Sequence, residues 1–252
     1  MRICFISAGT FAHVGPYLEH FKAAGHEVHF LALSPSPPRP VPVHDLSLGS
    51  KYSGTEGKWK YPLSMLLARR LVRKLKPDIV HAHYATSGGL ASLVCGHHPT
   101  IVTAHGTDLA VGSGSATWRL LLKAVFDHAD CVNTVSEELR GLALGLGVGA
   151  EKIQVLTLGV DMGRFARGLA PRRAGAALKL ISTRRMEAHY DPQTIVRALA
   201  LLQSKGLEFA MTFAGDGPLR REVEALSSKL GLGERVRFLG AVDHESMPAL
   251  LG

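Results

Sequence analysis

This sequence of 252 residues is poor in several features, and each scarcity excludes a class of protein. Its three cysteines, Cys4, Cys95 and Cys131, lie singly in apolar segments with none of the spacings of a metal site. We therefore predict that they are small buried side chains in a reducing compartment. No apolar run approaches the length of a membrane span. Met1–Gly9 predicts a strand and a turn rather than a signal peptide, so the predicted location is the cytoplasm.

Acidic residues are also scarce, with 21 against 29 lysines and arginines and a formal net charge of +8. Such a balance favours anionic partners, namely phosphates, an acidic membrane face or nucleic acid, although it also serves solubility alone. The chain contains no nucleic-acid-binding motif and no basic patch interleaved with aromatic residues. We therefore expect no nucleic-acid partner.

The stretch Lys76–Asp108 organises the rest of the chain. Two short apolar runs in it, separated by a Gly/Ala-rich helical segment, are typical of parallel buried strands. The first run ends in His81 and His83, and the second ends in His105-Gly106. Ligands of open parallel sheets bind beyond the carboxyl ends of the strands, so we expect His105 at the rim of a crevice. For His81 and His83, a buried structural role remains an equal alternative.

The first 33 residues predict a strand, a turn at Gly9, a helix over Val14–Ala24 and a second strand over Glu27–Leu33. This order is that of a mononucleotide-binding half. The full G-x-G-x-x-G pattern is missing, because only Gly9 and Gly15 are present, and the second strand does not end in an acid. An NAD-dependent oxidoreductase is therefore disfavoured. Gly9 could let a phosphate approach the helix, or simply form a tight turn.

A basic amphipathic helix is predicted over Leu63–Lys76. Its leucines are placed on one side (Leu66, Leu67, Leu71 and Leu75), and five lysines and arginines supply charge. Such a helix can lie on an anionic membrane surface, which would make the protein peripheral at the inner membrane face. The favoured alternative is a surface helix whose leucines pack on the sheet.

The second half of the chain repeats the α/β pattern after a linker rich in Gly, Ala, Pro and Arg. We predict a domain over residues 1–167, a linker over 168–177 and a second domain over 178–252. Strands are expected over Leu178–Ser182, Glu208–Ala214 and Arg235–Leu239. Asp191-Pro192 predicts a helix start, with an N-cap followed by proline.

The ordered segments KPDIVHAHY, TAHGTD, ADCVNTVSEEL, LGVDMGRF and FAGDGPLRREVEALSSKLGLGERVRFLGAV give the sequence a family likeness. Together they resemble the retaining, nucleotide-sugar-dependent glycosyltransferases of family four. The resemblance covers the whole chain. It implies the α/β fold called GT-B, with two Rossmann-like domains facing each other across a cleft. The acceptor would bind to the first domain and the nucleotide of the donor to the second.

The same resemblance assigns site residues. His105 matches the histidine that faces the donor sugar, and Gly9 matches a glycine turn near the diphosphate. Arg185 matches the arginine that holds the diphosphate, while Gly215 and Gly240 match glycines lining the nucleotide pocket. The planar fork of an arginine after a strand suits phosphate, although an ordinary solvated surface charge is the alternative.

Two departures from the family pattern accompany the resemblance. The lysine that normally follows the arginine is missing, and Tyr190 stands near its place. Only 75 residues follow Ala177, and the Glu-x7-Glu segment of the family is not among them. We therefore expect an incomplete second domain whose last strand has an open edge. Such an edge favours self-association, poor solubility and little activity.

The predicted function is transfer of a sugar, with retention, from a nucleotide-diphosphate sugar to an acceptor hydroxyl. No cofactor or metal is expected, because no Asp-x-Asp pair is suitably placed and basic groups with helix N-termini can hold a diphosphate. Two alternatives stay open. One is a nucleotide-sugar epimerase of the same fold, and the other is an inactive remnant that binds donor or acceptor weakly.

Overall fold

The computed structural model describes residues 1–8, 11–36, 39–49, 60–165, 177–243 and 245–251. Contacts between Cα atoms divide the chain into two compact units, Met1–Leu158 and Gly159–Gly252. Nearly all of the predicted linker, 168–177, lies outside the described residues. The predicted domain limits therefore stay predictions, although residues 159–165 group with the second unit.

The first unit is built on a parallel sheet in which seven described strands run in the order β3-β2-β1-β4-β5-β6-β7. The chain order of the strands reverses between β1 and β4, which are neighbours. In doubly wound folds this is the place where a crevice opens at the carboxyl ends of the strands. The strands are β1 (Arg2–Ser7), β2 (Glu27–Ala32), β3 (Val43–Asp45), β4 (Ile79–His83), β5 (Thr100–Ala104), β6 (Cys131–Thr134) and β7 (Ile153–Val155).

Helices connect these strands: α1 (Phe11–Ala23), α2 (Tyr61–Leu75), α3 (Leu90–Cys95), α4 (Thr107–Gly114), α5 (Ala116–His128) and α6 (Glu137–Gly145). Neither α4 nor β3 was expected from the sequence. A π-helical turn, Tyr84–Gly89, precedes α3. It passes so close to the sheet that a Cβ on Gly88 would lie 2.4 Å from the His83 carbonyl oxygen. Glycine is therefore required at this crossing.

The two faces of the first sheet carry different cores, because successive side chains of a strand point to opposite faces. Phe5 packs with Val14 and Leu18 of α1. Cys4 and Ile6 pack on the other face against α2 and α3, in a cluster that includes Ala68, Val72 and Cys95. Cys4 and Cys95 are buried as predicted, and Cys131 is partly buried.

Helix α2 packs on the sheet mainly through its smaller residues. Ser64, Ala68 and Val72 are buried, whereas Leu66 remains 57% exposed. The prediction that Leu66 shares the apolar side with the other leucines is therefore wrong. Leu67, Leu71 and Leu75 do pack partly against the core. No helix of the described segments is long and apolar enough to cross a membrane.

The second unit has a parallel sheet of three described strands in the order β10-β9-β8. Its core is formed by one face of β9, whose alternate residues are buried, and by the helices that follow the strands, and it includes Met186, Val196, Phe213 and Val223. Asp191 caps α8 as predicted, by accepting a hydrogen bond from the Thr194 N–H. The elements are β8 (Leu178–Ser182), β9 (Phe209–Phe213), β10 (Val236–Phe238), α7 (Met162–Phe165), α8 (Pro192–Ser204), α9 (Arg220–Lys229) and α10 (Met247–Leu251).

Candidate functional site

The buried carboxylate of Asp108 ties together the two loops that leave β4 and β5. Asp108 is 2% exposed and lies in the first turn of α4. Its Oδ2 accepts a hydrogen bond from the Ala85 N–H at 2.8 Å, in the loop after β4. Its Oδ1 accepts from the N–H groups of His105, Gly106 and Leu109 at 3.1, 2.8 and 3.2 Å. The carboxylate thus fixes where the His105 backbone leaves the sheet.

A stack of imidazole rings lies at the carboxyl end of the sheet, beside the loops that Asp108 joins. The His81 and His83 rings stack at 4.4 Å between centroids, and the His83 and His105 rings at 5.3 Å. Tyr84 stacks on the outer side of His105 at 4.4 Å. The ring of His13, from α1, lies 5.1 Å from that of His105. The predicted crevice edge is therefore lined by neutral aromatic rings.

Hydrogen bonds hold the inner rings of this stack. His81 Nε2 lies 2.7 Å from Thr103 Oγ1, which also accepts from Asn133 Nδ2 at 3.3 Å. His83 Nδ1 lies 3.0 Å from His105 Nε2. His81 and His83 are therefore both buried and hydrogen-bonded, as the structural alternative predicts.

Burial keeps the imidazoles uncharged. It lowers the pKa of His81 to about 3 and that of His105 to about 4. Burial also places the pKa of His83 well below its ordinary value. In each case, the neighbouring histidines disfavour the charged form further. At neutral pH, His105 therefore offers a hydrogen bond and not a positive charge.

The second unit contains a pocket of about 270 Å³ at the carboxyl ends of its strands. The loop after β8 contributes Thr183 and Arg185, and the loop after β9 contributes Ala214 to Gly217. Ala241 and Val242 follow β10, and Met247 begins α10. Predicted residues Arg185 and Gly215 therefore lie together, and Gly240 immediately precedes the third lining segment.

Two glycines let the loops of this pocket approach each other. A Cβ on Gly215 would lie 2.2 Å from the Arg184 carbonyl oxygen, and one on Gly217 would lie 2.4 Å from that of Met186. Gly240 has a φ of +77°, a conformation that side-chain-bearing residues rarely adopt. The remaining predicted site residue, Gly9, lies outside the described residues.

Arg185 is held by an ion pair within its own loop. Its Nε lies 2.6 Å from Glu187 Oε1, and its side chain is 68% exposed. The neighbouring Arg184 guanidinium lies over the Tyr190 ring, 5.4 Å from its centroid. Within the described ranges, no group of three or more His, Cys, Asp or Glu is arranged to hold a metal ion.

The sequence matches the models of two known protein families. The model of Glycosyltransferase Family 4 matches residues 9–164, more than half of the chain. The chain belongs to Glycosyltransferase Family 4. A second family model, Glycosyl transferases group 1, matches residues 172–252.

A curated relative of this Family 4 chain supports the assignment. The N-acetyl-alpha-D-glucosaminyl L-malate synthase of Bacillus anthracis is 26% identical over 263 residues, covering 96% of this chain and 67% of the relative. A glycogen synthase of Mycobacterium tuberculosis is 25% identical and covers 71% of this chain but 45% of its own length. The chain thus spans 44% to 67% of the length of these curated relatives.

Solved structures confirm the predicted GT-B fold class. Sucrose-phosphate synthase from Thermosynechococcus elongatus superposes with a TM-score of 0.77 at 21% identity, covering 99% of this chain and 73% of its own. Anabaena HepE, solved with UDP and glucose, gives 0.72 at 15% identity, with 99% and 71% covered. A UDP-GlcNAc 2-epimerase from Methanocaldococcus jannaschii gives 0.61 at 14% identity, with 99% and 76% covered. These identities establish likeness of fold alone.

Two residues that shape these sites do not follow from the sequence patterns. The one local signal for Asp108 is that an acid in the first turn after a glycine marks a helix start. No local pattern places the carboxylate of Glu187 beside Arg185. Both residues act through contacts that form only when loops come together.

We expect Asp108→Asn to lower the free energy of unfolding of the first unit by about 2–4 kcal/mol, because charge-assisted hydrogen bonds are lost and a buried amide N–H faces other donors. Urea unfolding followed by tryptophan fluorescence measures the change. The control is Asp127→Asn, which removes an exposed ion pair with Lys123 and should cost less than about 1 kcal/mol. Equal losses of unfolding free energy in the two variants would contradict the stabilising role of the Asp108 hydrogen bonds.

We expect the free energy of unfolding to decrease as the pH is lowered from about 6.5 to 5. The unfolded chain takes up protons at the ordinary histidine pKa, whereas folded His81 and His105 remain neutral down to about 3 and 4. Each such group contributes up to about 1.4 kcal/mol per pH unit in that window. Urea unfolding at several pH values tests this, with His13, Tyr17, Tyr84 and Asp108 as the other titratable groups around the stack.

The variant His81→Phe should flatten this pH dependence, because it removes one buried neutral imidazole. Replacement of the exposed His20 by Gln should leave it unchanged. A wild-type free energy of unfolding that is constant from pH 6.5 to 5 would show that the buried histidines do take up protons in the folded state.

Proposed function

We propose that this protein transfers a sugar from a nucleoside-diphosphate sugar to an acceptor hydroxyl, with retention of configuration at the anomeric carbon. The observation that carries the proposal is the pocket of the second unit, where Arg185 and the Gly215–Gly217 loop meet at the carboxyl ends of parallel strands. In a Family 4 chain with this fold, such a pocket suits a nucleotide diphosphate.

The chemistry of the pocket supports a diphosphate ligand. Arg185 can offer its guanidinium fork to two phosphate oxygens. The close approach at Gly215 and Gly217 brings backbone to the pocket wall, where the Gly217 N–H already donates to Asp216 Oδ1 at 2.8 Å. The structural neighbour HepE was solved with UDP and glucose, which is the class of ligand proposed here.

The first unit supports the sugar-transfer side of the proposal. His105 is a neutral imidazole at the carboxyl end of β5, able to hydrogen-bond a sugar hydroxyl without placing a charge beside it. The neighbouring carboxylate, Asp108, already accepts hydrogen bonds from four backbone N–H groups. It is therefore unavailable as a nucleophile. If the transfer is retaining, this favours front-face attack, in which the leaving phosphate takes up the proton of the acceptor.

A nucleotide-sugar epimerase is the second candidate, because a UDP-GlcNAc 2-epimerase shares the fold with a TM-score of 0.61. An epimerase would change the donor without an acceptor present. A remnant that binds a nucleotide but turns over no donor is the third candidate. The expected absence of a metal, the self-association through the second sheet and the cytoplasmic location also remain predictions.

The deciding experiment incubates the protein with UDP-, GDP- and ADP-sugars, with and without candidate sugar acceptors. We expect release of the nucleoside diphosphate only when an acceptor is present, and an α-linked product from an α-linked donor by NMR. A changed sugar without acceptor would identify an epimerase. Tight nucleotide binding with no turnover under any condition would identify a binding remnant.

Arg185→Ala should weaken the binding of the best nucleoside diphosphate by about 1.5–3 kcal/mol, the scale of a charge-assisted hydrogen bond. Glu187→Gln should strengthen it, because the carboxylate that occupies Arg185 is removed. Titration calorimetry with UDP and GDP measures both. The control is Glu208→Gln, which removes an ion pair with Arg235 at the amino end of β9. Unchanged affinity in Arg185→Ala would remove this arginine from the site.

Helix α2 is the proposed contact with an anionic membrane surface. Leu63 and Leu66 are 51% and 57% exposed, and no acidic residue lies on the helix. We expect salt-sensitive sedimentation with anionic but not neutral vesicles, since each basic residue contributes about 1 kcal/mol near such a surface. The double variant Arg73→Gln, Lys74→Gln should reduce it, and Lys205→Gln, Lys229→Gln should not. Equal binding to neutral vesicles would contradict the proposal.

A further inference from the structure

A carboxylate lies in the pocket of the second unit, where its negative charge opposes the binding of a diphosphate. Asp216, in the loop after β9, is one of the residues that line the cavity. We propose that Arg220 is a positioning residue that neutralises Asp216, and that Gly240 is a glycine because the guanidinium of Arg220 needs its space. This inference rests on the proposed function, because the charge of Asp216 matters to an anionic ligand.

The small size of the cavity makes this charge important. A volume of about 270 Å³ corresponds to roughly 8 Å across, which is about the distance over which physiological salt screens a charge. A diphosphate bound in the cavity is therefore within electrostatic range of Asp216. The Gly217 N–H and then the Arg220 side chain lower the pKa of Asp216, so its carboxylate is ionised at neutral pH. Without a paired cation, this carboxylate would weaken the binding of the ligand.

Arg220 supplies the matching positive charge from the first turn of α9. Its Nη1 lies 2.9 Å from Asp216 Oδ2. Its Nε donates to Glu224 Oε1 at 2.8 Å, one turn further along the helix. Two bonds from different edges hold the planar guanidinium in one orientation. A cation in the first turn of a helix opposes the helix dipole, so the stability of α9 does not explain an arginine at this position, whereas the pairing with Asp216 does.

Gly240, the buried glycine in the turn after β10, leaves room for this ion pair. A Cβ on Gly240 would lie 2.9 Å from Arg220 Nη1 and 3.6 Å from Asp216 Oδ2. The first distance is shorter than a van der Waals contact, so a side chain here would push the guanidinium away from the carboxylate. The next two residues, Ala241 and Val242, line the cavity. Gly240 therefore acts on the pocket through Arg220, and the ion pair lies between the loops after β9 and β10.

Calorimetric titration of the whole chain with UDP and GDP tests the role of the charge. We expect Arg220→Ser to weaken the binding of the preferred diphosphate by about five- to twentyfold, the scale of one like charge at this distance. Adding Asp216→Asn should restore the affinity to within about threefold of wild type, because no carboxylate is left to neutralise. The matched control is Arg221→Ser, which removes the same charge from the same exposed turn of α9 and should change the affinity by less than about twofold. Unchanged affinity in Arg220→Ser, or no recovery in the double variant, would overturn the proposal.

Carbon NMR of the Asp216 carboxyl group, assigned by the loss of its signal in Asp216→Asn, tests the pairing without a nucleotide. We expect the pKa of Asp216 to lie below its ordinary value in the wild type and to rise in both Arg220→Ser and Gly240→Ala. The double variant should match Arg220→Ser alone, because the guanidinium that Gly240 accommodates is already absent. A pKa of Asp216 that Gly240→Ala leaves unchanged would overturn the role of the glycine. If the wild type binds neither UDP nor GDP, the proposed function fails, whereas this titration still decides whether Arg220 and Gly240 control the charge of Asp216.

Discussion

The first unit depends on one buried carboxylate. Asp108 accepts hydrogen bonds from four backbone N–H groups of two loops, and it is the only charge that this end of the described sheet buries. A buried charge is tolerated only when hydrogen bonds satisfy it, so the loops and the carboxylate stabilise one another. Because the loops carry Tyr84 and His105, the same contact determines which rings reach the rim.

The two units differ in the charge of the side chains at the carboxyl ends of their strands. The first presents imidazole rings, whose burial prevents protonation, and the ring of Tyr84. The second presents Arg185, whose charge is balanced by Glu187. Neutral donors suit sugar hydroxyls, whereas a guanidinium suits a diphosphate. A nucleotide sugar contains both chemical groups, and it is the donor that we propose.

Much of the fold follows from local sequence patterns. Apolar runs bounded by glycine and proline indicate the central strands, and Ser136 and Asp191 mark the helix starts they cap. Sequence spacing does not predict which residues of a helix are buried when side-chain packing determines how closely the helix approaches the sheet. Leu66 shares a helical face with other leucines by spacing, yet Ala68 and Val72 meet the sheet because smaller side chains let α2 approach closely. Helix α4 is also missed, because its glycines and short length give a weak helical signal.

The sequence by itself determined the alternation of strands and helices, the placement of His105 and Arg185 just after strands, and the family. These features depend on residue order, since the carboxyl ends of parallel strands meet at one edge whatever the packing. Only the tertiary structure decided that His83 bonds His105, that Asp108 clamps two loops and that Glu187 occupies Arg185. The first two join strands and loops more than 20 residues apart, and the third depends on how a short loop turns. Hydrogen bonds of this kind require distances and directions that no local pattern specifies.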